Sequence, residues 1–468
     1  MKVDWHWHNI IQEKRKKATF NTMQIIAFGF IGVIFLGSVL LYLPISNHQP
    51  IAYIDALFIS VSAVCVTGLV TVFPAAQFTL FGKIVLLGLI QIGGLGVIAC
   101  TMAVFLVIRK KITMKNRVLI QQTYNLDTLT GMVRFIIRIL RGTLLVEGIG
   151  AILFSFHFIP EYGFFRGVGY GIFHSVSAFC NAGIDLLGES SFTEYVKSPL
   201  VSFTTMFLIV SGGLGFTVWH DVHVNLKEVV GQKQPLRRLF TRLHLQSKIV
   251  ITMTTGLILA GTLVYFCLEY HNEATMGNLN VFEKLMASGF QSVTTRTAGF
   301  ATVSQADLTA GSKLFGCILM FIGGSPGGTA GGIKTTTMAL LLLTCISVIK
   351  GRNATECYGR KIAESNVRSG IAIALVTFAI WLTGVLGITI LEPGMRFIDI
   401  LYEATSAIGT VGLSADLTPL LSRGSHIILM FLMYVGRIGP ITMALVFAGR
   451  EDVQSKFRDL PEKRIMLG

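Results

Sequence analysis

Apolar residues in this chain gather into four long blocks, and basic residues gather between and around them, at positions 2–17, 109–141, 227–248, 350–368 and 450–464. Basic connections stay on the cytoplasmic side, so each block must leave that side and return to it. Within the blocks the pattern predicts paired spans at 23–43 and 80–108, 133–158 and 200–226, 248–268 and 313–349, and 367–391 and 425–448. Both termini are then expected in the cytoplasm. Between the two spans of each block lies a shorter apolar stretch, at 55–66, 170–180, 281–295 and 397–409, ending in small polar residues. Twelve helical residues rise about 18 Å, too little for a hydrocarbon core of about 30 Å. These stretches are expected to enter the membrane and turn back.

A tetrapeptide with glycine third follows each short stretch: Val66-Thr67-Gly68-Leu69, Asn181-Ala182-Gly183-Ile184, Thr297-Ala298-Gly299-Phe300 and Thr410-Val411-Gly412-Leu413. The glycines lie 115, 116 and 113 residues apart. A second marker keeps phase with them, as Gly93-Gly94-Leu95-Gly96, Gly212-Gly213-Leu214-Gly215, Gly323-Gly324 and Gly436-Arg437-Ile438-Gly439. Two markers repeating together define four equivalent units. The expected architecture is an all-α integral membrane protein with eight spanning helices and four re-entrant helices around one pore. Its units are 23–108, 133–226, 248–349 and 367–448, with a basic segment 1–22 before them and a tail 449–468 after. Four glycine loops on one axis would turn peptide oxygens inward, and such oxygens replace the hydration shell of a cation. A short helix entering from outside also aims its negative dipole end at the membrane centre. Asp55, Glu283 and Asp399 stand where three of these helices begin; the second unit instead carries His174, a packed polar residue or a proton relay.

The third unit differs from the others. Its second span is interrupted at 322–337 by a run holding six glycines, Pro326 and Lys334. Non-helical backbone at membrane depth persists only when buried in protein or lining a water-filled path. This run resembles a nucleotide-binding loop, but Ile333 separates Gly332 from Lys334 and the flanks are membrane helices, which argues against phosphate binding. Close helix packing through Gly323 and Gly324 is a simpler reading that leaves Pro326 and Lys334 unexplained.

Composition narrows the class. The 468 residues carry 14% charged side chains at a mean hydropathy of +0.66, which excludes a string of soluble domains. The net charge of +14 is spread over the five basic clusters, so it fits inner loops and lipid headgroups better than nucleic acid. Seven cysteines without paired spacing read as small core residues rather than a disulfide frame or metal site. Trp5, His6, Trp7 and His8 suit a membrane interface. Three charges remain ambiguous. Arg437 sits mid-span, either as an electrostatic barrier on the pore or as a partner for Glu147 or the glycine-loop carbonyls. Lys334 either shares that role or reaches for the cytoplasmic surface. Arg296, next to the third loop, reads as a brace near the outer pore rather than an ion site.

At the four glycine loops the chain resembles the Trk/Ktr/HKT superfamily of potassium transporters, most closely the Ktr-type membrane subunit, over roughly residues 20–450. About 22 residues precede the first expected span, where the Trk branch usually has two more helices. The resemblance implies a potassium filter made by Val66, Thr67, Gly68, Asn181, Ala182, Gly183, Thr297, Ala298, Gly299, Thr410, Val411 and Gly412. It implies a gate made by Gly323, Gly324, Gly327, Gly328, Gly331, Gly332, Lys334 and Arg437. It further implies potassium as substrate with sodium coupling or activation open, no organic cofactor, a homodimer in the cell membrane, and a separate cytosolic regulatory ring that binds adenine nucleotides. Two other classes compete. A carrier for a small organic substrate, coupled to sodium or protons, would have two halves of opposite topology. A membrane enzyme would need a paired acid, nucleophile or metal set; His220 and His223 alone do not supply one.

Overall fold

The computed structural model describes residues 22–108, 131–188, 191–235 and 237–439, together with residues 121 and 443. The expected N-terminal segment, most of the first basic connection, the end of the last span and the tail 449–468 lie outside the described residues. In the first block α1 (Thr22–Tyr42) is followed by α2 (Tyr53–Val64), then α3 (Leu80–Leu95) and α4 (Val97–Val107). The second block holds α5 (Met132–Tyr162), α6 (Phe164–Cys180), α7 (Pro199–Gly213) and α8 (Phe216–Gly231). The third holds α9 (Leu245–Glu269), α10 (Val281–Thr294), α11 (Ala310–Phe321) and α12 (Thr335–Ile349), and the fourth α13 (Glu364–Leu391), α14 (Phe397–Gly409) and α15 (Arg423–Ile438). A two-strand hairpin, β1 (Glu356–Cys357) with β2 (Arg360–Lys361), connects the last two blocks.

Local chemistry explains where these helices begin. Asn280 and Glu283 close a capping box on α10, and the hydroxyls of Thr79, Thr309 and Ser422 accept amides at the starts of α3, α11 and α15. Asp55, Glu283 and Asp399 fall in the first turns of α2, α10 and α14, where the helix dipole favours an anion. The long helices α1, α5, α9 and α13 are apolar enough to cross a membrane. They expose Phe35, Leu144, Leu259 and Leu375, while the short helices are buried along most of their length. Apolar surface therefore faces outward, and polar residues such as Ser177, Gln291 and Glu403 lie inside.

Two expectations are corrected. The stretch predicted to start at residue 170 is a helix from Phe164, entered through Gly163. Gly167 and Gly171 let it lie directly against the backbone of α5 at Ile159 and Ala151. The second spans of blocks one and two are not continuous over their expected length, and the described helix of the last span ends at Ile438. The last glycine of each of these three markers follows the helix end, with φ and ψ of 86° and 146° at Gly96, 93° and 140° at Gly215, and 94° and 138° at Gly439. Side chains avoid that region, so glycine is what permits one shared conformation. At Gly215 the chain turns by 96°, and α8 with its polar His220, Asp221, His223 and Asn225 leaves the direction of α7. In the third block the break is the whole segment 322–334.

Candidate functional site

Short helices α2, α6, α10 and α14 end at four loops with one backbone conformation. The residue two places before each glycine is left-handed, with φ of 56° at Val66, 60° at Asn181, 67° at Thr297 and 51° at Thr410, and each glycine also has positive φ. Valine and threonine are costly in that region, so the surrounding packing enforces it. The loops meet in a closed cycle. A Cβ on Gly68 would stand 2.6 Å from the Ala182 carbonyl oxygen, and one on Gly183 would collide with that of Ala298. A Cβ on Gly299 would stand 2.6 Å from the Val411 oxygen, and one on Gly412 would collide with that of Thr67. Each unit thus abuts the next, and the fourth returns to the first.

Hydroxyls on the short helices hold this backbone, and sequence reasoning did not single them out. The Gly68 and Gly412 amides donate to Ser62 Oγ and Ser406 Oγ at 2.9 Å. Ser177 Oγ donates to the Ile184 carbonyl at 2.7 Å, and Thr294 Oγ1 to that of Phe300 at 2.6 Å. Their signal was the position of a hydroxyl five or six residues before every loop glycine. Asn181 and Thr297 join the second and third loops through side chains 3.3 Å apart. Thr67 Oγ1 and Thr410 Oγ1 are buried with no hydrogen-bond partner among the described residues.

The segment 322–334 packs against this assembly. Its ends pair through the Gly323 amide and Ile333 carbonyl at 2.8 Å, and the Thr335 amide donates to Gly324 at 3.0 Å. Its middle is held by the break in the second block: the Ser325 amide donates to Gly213, that of Thr329 to Gly212, and that of Phe216 to Gly327. Thr329 Oγ1 also donates to the Phe179 carbonyl at 3.1 Å, at the end of α6. Gly331 touches Thr410, and Gly328 touches Gly212 and Gly215, leaving no room for side chains. Glycine here provides close backbone approach.

Arg437 and Lys334 are both drawn into this contact. The Arg437 guanidinium donates to the carbonyls of Thr329, Gly93 and Gly94, the last at 3.2 Å. Of these carbonyls, that of Thr329 belongs to the glycine-rich segment, and those of Gly93 and Gly94 to the end of α3. Glu147 accepts from Gln91 Nε2 at 3.1 Å. Lys334 Nζ turns back on its own loop to the Ala330 carbonyl at 2.8 Å, rather than extending to a surface. Lys334 also lines a cavity of about 140 Å³ between the loop, α13 and α15.

Other candidates fall elsewhere. His174 donates from Nδ1 to Tyr170 O at 2.7 Å and accepts the Leu186 amide on Nε2 at 3.2 Å, among Phe154, Phe158 and Phe192. Both nitrogens are occupied, as a packed polar residue requires. Arg296 is buried, donates to Thr254 Oγ1 at 3.4 Å, and lines a small cavity together with Gly213 and Gly324. His220 lies beside Arg138, and no group of three potential metal ligands occurs among the described residues.

Helices apolar and long enough to cross a membrane, together with four converging glycine loops, define a polytopic membrane protein. Comparison with known proteins identifies the family. Residues 3–456 match the family model TrkH, cation transport protein, and the chain belongs to that family. Among its relatives, Ktr system potassium uptake protein B of Bacillus subtilis is 37% identical over 95% of this chain and 97% of its own length. Potassium/sodium uptake protein NtpJ of Enterococcus hirae is 35% identical over 98% of this chain and all of its own. The potassium transporter TrkH from Vibrio parahaemolyticus shares the fold, with a TM-score of 0.71 at 18% identity over 93% of this chain and 86% of that one.

Proposed function

We propose that this protein carries potassium into the cell through a selectivity filter built from the four glycine loops. The closed cycle of Gly68, Gly183, Gly299 and Gly412 against the carbonyls of the neighbouring units carries this reading. Carbonyl oxygens held by left-handed backbone and by hydroxyls behind them suit a dehydrated monovalent cation. The partnerless hydroxyls of Thr67 and Thr410 add two oxygens of the right kind. Relatives named for potassium uptake, one also for sodium, support the choice of ion.

In this reading, eight spans and four re-entrant helices surround the filter, with both termini cytoplasmic. The glycine-rich segment with Lys334 and Arg437 is the gate, a cation-bearing barrier whose contacts hold it closed. The protein acts as a homodimer embedded in lipid, with a separate cytosolic regulatory subunit that binds nucleotide; the word system in the relatives' names supports a second component and no more. Flux into liposomes carrying the purified protein tests the function. Rubidium or potassium should enter and compete with one another, with sodium as competitor or activator. Uptake of an organic solute driven by a sodium or proton gradient, without potassium flux, would favour the carrier instead.

A further inference from the structure

Behind the loops, the short helices of three units send a polar side chain to the chain that leaves the glycine, and each uses a different chemistry. In the second unit His174 Nε2 accepts the Leu186 amide. In the third, Gln291 and Gln305 exchange two amide hydrogen bonds at 2.7 and 3.1 Å, and Tyr402 of α14 donates to Gln305 Oε1 at 2.8 Å. In the fourth, Glu403 accepts from Thr418 Oγ1, which also lies 3.3 Å from Ser414 Oγ. His174 and Glu403 both stand nine residues before their glycine, and Gln291 stands eight before. All three are buried completely. In the first unit that position is Ile59, and among the described residues no α2 side chain makes a hydrogen bond beyond Gly68.

We propose that Glu403 is a positioning residue of the filter, fixing the outer part of the fourth loop through Thr418 and so setting discrimination between potassium and sodium. The inference rests on the filter reading above. Loop four needs such a hold. Thr410 and Gly412 both have positive φ, and Asp416, between Ser414 and Thr418, is left-handed as well with φ of 59°. A segment with three left-handed residues is held by what surrounds it. Both holds meet at Thr418, where the hydroxyl joins Glu403 of α14 and the carbonyl meets His426 Nε2 of α15 at 2.8 Å. Gln305 brings the third loop to Tyr402, the residue before Glu403, so the braces of units three and four adjoin. In the first unit, among the described residues, Ser62 is the α2 side chain that holds the loop, through the Gly68 amide.

The test separates positioning from folding by reading a ratio. Rubidium and sodium fluxes are measured in liposomes for the unaltered protein, Glu403→Gln, Glu403→Leu and Thr418→Val, with Gly412→Ser as control for the filter itself. Glu403→Leu and Thr418→Val should each lower the rubidium-to-sodium ratio about fivefold, the size of one buried hydrogen bond. Glu403→Gln, which keeps an acceptor oxygen, should restore most of it. Damage to folding alone would reduce both fluxes together and leave the ratio unchanged. Should Glu403→Leu not give monodisperse protein, Thr418→Val cuts the same bond from its other side. Intact ratios in Glu403→Leu or Thr418→Val, alongside a lowered ratio in Gly412→Ser, would overturn the positioning role and leave the filter standing. Intact ratios in all variants, Gly412→Ser included, would overturn the filter reading and this inference with it.

Discussion

Arg437 of α15 donates its guanidinium to the carbonyl of Thr329, in the middle of the segment that interrupts the third block. The same group meets Gly93 and Gly94 at the end of α3, so one cation ties three blocks together beside the ring of loops. A hydrogen bond from a charged donor contributes about 1.5–3 kcal/mol, and under the gate reading proposed above cutting it shifts the balance from closed to open. Arg437→Gln is expected to raise rubidium flux in liposomes without any partner by about tenfold. A fall in flux with intact protein would mean that the guanidinium serves conduction rather than closure.

Shortening the segment removes several of its other ties at once. Deleting residues 327–330 takes away the bonds of Thr329 to Phe179 and Gly212 and that of Gly327 to Phe216. Flux should then be high and insensitive to a cytosolic partner. Liposome flux that stays at the intact level would leave the segment with a packing role only.

Ser62 and Ser406 take the amides of Gly68 and Gly412, whereas Ser60 on the same short helix donates to the Ile34 carbonyl of α1. Ser62→Ala and Ser406→Ala should each reduce the preference for rubidium over sodium by about fivefold, since a buried amide loses its acceptor. Ser60→Ala should lower thermal stability and keep the preference. Competition curves for the three proteins check the contrast.

Lys313 and Asp399 form an ion pair at 2.6 Å with side chains only 2% and 9% exposed, and Arg396 flanks Asp399 at 2.7 Å. Removing one member of a buried pair costs about 3–5 kcal/mol, while replacing both with apolar groups costs far less. Asp399→Leu should lower the unfolding temperature in detergent sharply, and the double variant Lys313→Met with Asp399→Leu should recover most of the loss. Equal losses in both proteins would show that the pair is held by something other than its own charges.

The fourfold period was readable because one geometric demand recurs: Gly68, Gly183, Gly299 and Gly412 all have positive φ in the same local context. The limits of α14 were also readable, with Asp399 in its first turn and the glycine loop at its end. The start of α6 was not, since Phe164–Cys180 has no acid in its first turn and no side-chain cap. Gly96, Gly215 and Gly439 were visible as marker residues, yet a lone glycine in an apolar run looks the same whether it packs or breaks a helix. Their recurrence at the fourth marker position was the unused clue. The partners of Arg437 had no local trace at all, lying 108 and 344 positions away. Such contacts follow from the assembled fold and from no pattern near the arginine.

The account depends most on four loops acting as one ion site, and Gly299→Ser tests that most directly. A side chain there would crowd the Val411 oxygen and the Gly183 and Gly412 backbones at once. Rubidium uptake into liposomes under increasing sodium should show the variant losing its preference for rubidium while still conducting. An unchanged competition curve in folded, conducting protein would contradict the claim.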